Sequence, residues 1–193
     1  MHSAEAIREA YAAGITRFGE SYLQEALPKI AALRRLPLEW HFIGPVQSNK
    51  TRAIAEHFDW VHSVDRLKIA TRLDEQRPKR LKKLNICIQV NISEESSKSG
   101  ILQSAIEDFA GQLNKLPNIK LRGLMAIPQR SRDELEQRTV FAQMREIFMS
   151  MREGGFKLDT LSMGMSADLE AAIMEGATLL RVGTALFGAR GST

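Results

Sequence analysis

The feature that most constrains this chain is a repeating unit. Short apolar runs of strand-forming residues alternate with longer amphipathic stretches, and the connections between them are brief. Strand candidates fall at residues 16–20, 39–44, 60–64, 85–91, 120–127, 160–164 and 178–184. Helical periodicity fills the intervals at residues 21–35, 49–57, 66–76, 102–115, 133–152 and 167–175. One more helix precedes the first strand. There Ile7, Ala10 and Tyr11 share a face, Ser3 can cap the start and Gly14 can close the end. Alternation of this kind predicts a parallel sheet with helices packed outside it.

Seven βα strands in one domain, residues 1–193, favour an α/β barrel over the structural alternative, a flavodoxin-like open sheet. A closed (β/α)8 TIM barrel needs eight strands and typically about 250 residues. The chain opens on a helix, so the expected architecture is that barrel missing its first strand, the one that would stand directly before Ser3. Strands 16–20 and 178–184 would then each carry an unpaired edge. Such edges leave a barrel open and bring a risk of self-association.

Composition narrows the function classes. The chain is 44% hydrophobic and 26% charged, with 27 basic residues against 23 acidic ones, a formal charge of +4. That excess is small and scattered along helices, and no nucleic-acid motif accompanies it. The one dense run, residues 77–83, reads as a solvated loop between elements, with an anion or partner patch as the alternative. No apolar run approaches the ~18 residues of a membrane span. Cys87 is the only cysteine and sits inside an apolar run, which points to a buried structural thiol and a reducing, cytoplasmic compartment. The four histidines show no metal-ligand spacing, so no metal site is expected.

Two loops near the C-terminus carry the chemistry. Leu161-Ser162-Met163-Gly164-Met165-Ser166-Ala167-Asp168 and Arg181-Val182-Gly183-Thr184-Ala185 each read as a strand running into small residues that open a helix. Backbone N–H groups approach an anion most closely where no Cβ intervenes, and a helix start adds its positive dipole end. A TIM barrel builds its usual phosphate site from the loops after its last two strands. Ser166, Gly183 and Thr184 are therefore phosphate-ligand candidates, against the plainer alternative of an N-cap and a tight turn. Asp168 and Glu170 lie in the first turn of the helix after Ser166 and could satisfy its dipole without a ligand. Arg181 stands two residues before Gly183, so strand alternation puts both on one side.

Three further stretches join these two: Phe18–Glu25, Trp40–Lys50 and Ser97–Gly100. With Arg122–Pro128, Leu161–Ala171 and Arg181–Arg190, they resemble the pyridoxal phosphate homeostasis proteins, which adopt the alanine-racemase N-terminal barrel as a single domain. The resemblance runs in order along essentially the whole chain. It implies a pyridoxal 5′-phosphate (PLP) site in which Ser166, Gly183 and Thr184 hold the phosphate and Arg181 faces the pyridine nitrogen. It also implies a Schiff-base lysine on the first barrel strand. This chain has no lysine before Lys29, so no catalytic residue is assigned and any bound PLP is expected to be non-covalent. Ser21 stands where the family usually has Asn.

The remaining candidates are weaker. Lys98 follows a strand and offers an amine at the same mouth, against the alternative of an exposed loop lysine; Lys50 has a similar claim. Met163 sits near a strand end as a cofactor contact or a packing residue, and His41 reads as a satisfied interior residue rather than a base. The expected function is PLP binding in intracellular PLP homeostasis, as a carrier rather than a catalyst and, by family, a monomer. The alternatives are an amino-acid racemase, whose second base would come from a further domain, and a barrel fragment without ligand. A phosphosugar isomerase would need a Glu–His pair, for which only Glu20 and His41 present themselves.

Overall fold

The structure, a computed structural model, describes residues 2–93, 99–129 and 131–188. Seven parallel strands form one sheet in sequence order: β1 (Arg17–Glu20), β2 (Glu39–Phe42), β3 (Trp60–Val64), β4 (Leu84–Gln89), β5 (Ile119–Met125), β6 (Thr160–Met165) and β7 (Leu179–Arg181). The helices between them are α1 (Ala4–Ala12), α2 (Leu23–Ala32), α3 (Thr51–His57), α4 (Leu67–Gln76), α5 (Ile106–Leu113), α6 (Glu134–Glu153), α7 (Leu169–Met174) and α8 (Thr184–Phe187). A 3-10 turn at Gln103–Ala105 leads into α5. The sheet curls into a nearly closed barrel, its β3 and β6 close enough for His62 and Ser162 to bond. Among the described residues β1 pairs only with β2, and β7 only with β6. The rings of His2 and Phe187, from opposite ends of the described chain, meet at 4.8 Å.

Burial of both sheet faces explains why the strands read so clearly. Val61, Val64, Ile86, Ile88 and Leu124 are fully buried between sheet and helices, the pattern of a covered parallel sheet. The helices contribute Ile54, Leu73, Ile106, Phe141 and Met144 to the same core. Local chemistry sets the helix ends. The Ser3 hydroxyl accepts from the Ala6 N–H at 3.2 Å, and the Asp133 carboxylate accepts from Leu135 N–H at 2.8 Å to start the long α6. Helix α2 begins at Leu23, later than the periodicity suggests, because Tyr22 is extended (φ −122°, ψ 115°). Strand β7 stops at Arg181, well short of residue 184, because Gly183 (φ −121°, ψ −75°) has already turned out of the strand.

Two glycines permit close backbone approach. A Cβ on Gly44, after β2, would lie 2.0 Å from the Ser21 carbonyl oxygen, and one on Gly123 in β5 only 1.6 Å from that of Thr160. Register shifts occur between Val61 and Val64, between Ile86 and Cys87, and between Ser162 and Met165. Each opposes an extra residue on one strand to its neighbour, which re-aims side chains.

The basic run 77–83 needs one correction. Lys79, Arg80, Lys82 and Lys83 are exposed, as a solvated loop requires. Arg77 is 6% exposed instead. Its Nη1 donates to the carbonyls of Ala55 (2.6 Å) and Phe58 (2.7 Å), and its Nε to that of Lys82 (2.8 Å). The guanidinium thereby closes the C-terminal end of α3, where backbone carbonyls lack intrahelical donors. Arg77→Ala should destabilise the fold by about 3 kcal/mol, since buried carbonyls would be left unpaired. Urea denaturation checks this; an unchanged midpoint would show that water replaces the guanidinium.

Candidate functional site

The C-terminal ends of the strands bring the two small-residue loops together. The Ser166 hydroxyl, after β6, accepts from the Ala185 N–H of α8 at 3.2 Å, tying one loop to the other. The N–H groups of Leu186 and Phe187 bond back to the Gly183 carbonyl. Those of Gly183 and Thr184 precede these first helical bonds and have no intrahelical acceptor. Asp168 does not serve the start of α7: its carboxylate accepts from Met165 N–H at 2.6 Å and braces the loop itself.

Arg181 closes β7 just below these loops. Nη1 donates to the Ser162 carbonyl (2.8 Å) and hydroxyl (2.7 Å), and Nη2 to the Ala126 carbonyl (2.8 Å). Three of the five guanidinium donors are thus committed, all to neutral oxygens. Among the described residues Arg181 forms no ion pair with an acidic side chain. Burial lowers its pKa to about 10, opposed by the charge of Asp168, so the group stays a cation at neutral pH. Arg181 and Gly183 do not share a strand face, because the strand has ended between them.

Below Arg181 lies a polar interior. Ser162 Oγ is 2.9 Å from His62 Nδ1, His62 Nε2 is 2.9 Å from His41 Nδ1, and His41 Nε2 is 2.9 Å from a Glu39 carboxylate oxygen. Ser162 and His62 are both 0% exposed. Trp60 stacks on His41 with ring centres 5.3 Å apart, and Arg122 places its guanidinium 4.6 Å from the Trp60 ring. Arg122 also holds Asp159 at 2.8 Å and donates to Asn85 at 2.9 Å. Cys87 packs against Trp60 and Met125.

Several expectations change against this geometry. Met163 is fully buried in the main core between sheet and helices. Its neighbour Ser162 faces the barrel axis, so Met163 points the other way and offers no surface to a ligand. Lys98 lies outside the described residues. Glu20 and His41 are not brought together: Glu20 pairs with Lys29 of α2 at 2.6 Å, while His41 faces the interior. His41 is indeed satisfied by hydrogen bonds. Glu39, His62 and Ser162 were not singled out. The available signal was polar residues at alternate positions of otherwise apolar parallel strands, where burial without a partner would be costly.

The comparisons with known proteins decide the family. Residues 1–191 match the alanine racemase N-terminal domain. The chain belongs to that family. The pyridoxal phosphate homeostasis protein of Pseudomonas aeruginosa is 62% identical over 187 residues, covering 97% of this chain and 80% of its own length. The protein of the same name from Escherichia coli is 52% identical over 190 residues, covering 97% and 81%. Among solved members of this barrel family, PipY of Synechococcus elongatus superposes with a TM-score of 0.90 without PLP and 0.88 with PLP bound. Both structures are 43% identical, covering 97% of this chain and 88% of PipY. An alanine racemase from Clostridium difficile, 15% identical with a TM-score of 0.76, shares the fold. None of the helices among the described residues is long and apolar enough to cross a membrane.

Burial lowers the pKa of both interior imidazoles below the usual 6.5. For His62 the neighbouring His41 and Arg181 push in the same direction, while for His41 its hydrogen bond to the Glu39 carboxylate opposes the shift. The unfolded chain therefore takes up these protons first as pH falls. Their contribution to stability is complete above about pH 6.5 and is lost progressively below it. Urea midpoints should fall between pH 7 and pH 5, and the slope should flatten in the His41→Gln/His62→Gln double variant. An equally steep slope in that variant would assign the effect to other groups.

Proposed function

We propose that this chain binds pyridoxal 5′-phosphate at the C-terminal mouth of the barrel and serves PLP homeostasis in the cytoplasm as a carrier rather than a catalyst. The observation that carries the reading is Arg181, fixed by three hydrogen bonds directly beneath two loops that present a hydroxyl and helix-start N–H groups. That donor set fits the two ends of the ligand. The Ser166 hydroxyl and the N–H groups of Gly183 and Thr184 suit phosphate oxygens, and the guanidinium suits an uncharged ring nitrogen. The relatives named for PLP homeostasis and the PLP-bound PipY structure support the same ligand. The single buried cysteine fits a reducing compartment.

Each residue has a task that follows from its chemistry. Ser166 keeps its own proton available, because its oxygen accepts from Ala185. Gly183 and Thr184 bring helix-start N–H groups to the same place. Arg181 can only donate, so the nitrogen it faces remains an acceptor and is not protonated. PLP supplies an electron sink when its ring nitrogen is protonated, and a guanidinium partner weakens that capacity. Holding the molecule, not activating it, is what this donor set does best.

Titration with PLP followed by absorbance should give saturable binding. Arg181→Ala should weaken it roughly 10- to 100-fold, the loss of one or two charge-assisted hydrogen bonds, and Ser166→Ala roughly tenfold. Unaltered affinity in both variants would move the site elsewhere, and no binding by the parent chain would overturn the reading.

A further inference from the structure

The buried groups beneath Arg181 form a connected series from one face of the barrel to the other. It starts at Arg181, the last residue of β7 at the mouth, and ends at Glu39, the first residue of β2 on the opposite face. Between them stand Ser162 on β6, His62 on β3 and His41 on β2, every link between 2.7 and 2.9 Å. Both ends reach solvent: Arg181 is partly exposed at the mouth, and Glu39 has 39% of its side chain exposed, with Arg17 3.3 Å from its carboxylate.

We infer that Glu39, His41, His62 and Ser162 are a one-way hydrogen-bond relay that orients the Arg181 guanidinium, which makes Glu39 a positioning residue for a ligand site on the far side of the barrel. With both imidazoles neutral, as their burial favours, the carboxylate end dictates every direction. A carboxylate accepts only, so His41 must carry its proton on Nε2. A neutral His41 then has a bare Nδ1, which accepts from His62 Nε2–H. A neutral His62 likewise has a bare Nδ1, which accepts from the Ser162 hydroxyl. Ser162 Oγ, its proton committed, presents only lone pairs to Arg181, which can only donate. Two adjacent buried imidazoles at 2.9 Å exclude both being cations, and the guanidinium above adds repulsion. Among the charged groups facing His41, Glu39 and then Asp59 favour its charged form, and Arg17 opposes them.

The series is static rather than conducting. Running it backwards would require either a protonated Glu39 or a cationic His41, and burial of His41 opposes the cation. Its effect is instead to leave a single arrangement of protons in the barrel, and hence a single acceptor direction at Ser162 for the guanidinium. The register shifts at Val61/Val64 and Ser162/Met165 flank His62 and Ser162 and aim both across the interior.

Nitrogen-15 NMR of histidine-labelled protein tests the relay without any ligand. At pH 7.5 both imidazoles should show protonated Nε2 and bare Nδ1. A proton on Nδ1 of either ring overturns the relay. Its effect on the ligand rests on the PLP reading and is tested separately. Ser162→Ala should weaken PLP binding roughly tenfold. Glu39→Ala should weaken it several-fold and mix the His41 tautomers, and Glu39→Gln, whose amide oxygen still accepts, should restore both. Predicted tautomers with unchanged PLP affinity in Ser162→Ala and Glu39→Ala would overturn the positioning role while leaving the PLP site intact. If the parent chain bound no PLP, the PLP reading and the positioning role would fail together, and the tautomers would still decide the relay.

Discussion

The hydrogen bond between His62 and Ser162 joins strands that are three places apart in the sheet. In a flat sheet those side chains could not meet, so the contact exists only because seven twisted strands have curled around a common axis. Closing that distance places a histidine and a serine where water does not reach, and each must then find a partner for every polar atom. The rest of the interior follows from that demand: a second histidine, a carboxylate at one end and a guanidinium at the other. Curvature and polarity are in this sense one constraint. The barrel needs interior side chains to fill it, and these interior side chains need one another.

The strand count, the order of elements and the parallel sheet were legible because they depend on local patterning. Val61, Val64, Ile86 and Ile88 announce buried strands without reference to any distant residue. The two C-terminal loops were legible for the same reason, since small residues between a strand and a helix are a local signal. The interior network was not. Glu39, His62 and Ser162 each look unremarkable in their own segment, and their connection depends on strand register, on bulges and on the far wall of the barrel. Met163 shows the related difficulty of phase: one position separates a residue on the barrel axis from one in the outer core, and Ser162 takes the axis.

Arg77 illustrates a third limit. Within a run of seven residues rich in lysine and arginine, average character predicts solvent, and its charged neighbours do lie in solvent. Arg77 alone points back under α3, where carbonyl oxygens at a helix end offer what a planar cation with several donors can use. Charge density describes the run; the geometry of a helix terminus two elements away decides the residue.

Cys87 bears on the proposed binding of PLP, a reactive aldehyde. It is the one thiol in the chain, it is completely enclosed, and burial pushes its pKa up to about 12. At neutral pH it is essentially all thiol, without the anion that attacks carbonyls or reacts with oxidants. On the proposed PLP reading, the barrel keeps its own strongest nucleophile out of reach of that cargo. No bond to sulfur would then compete with release.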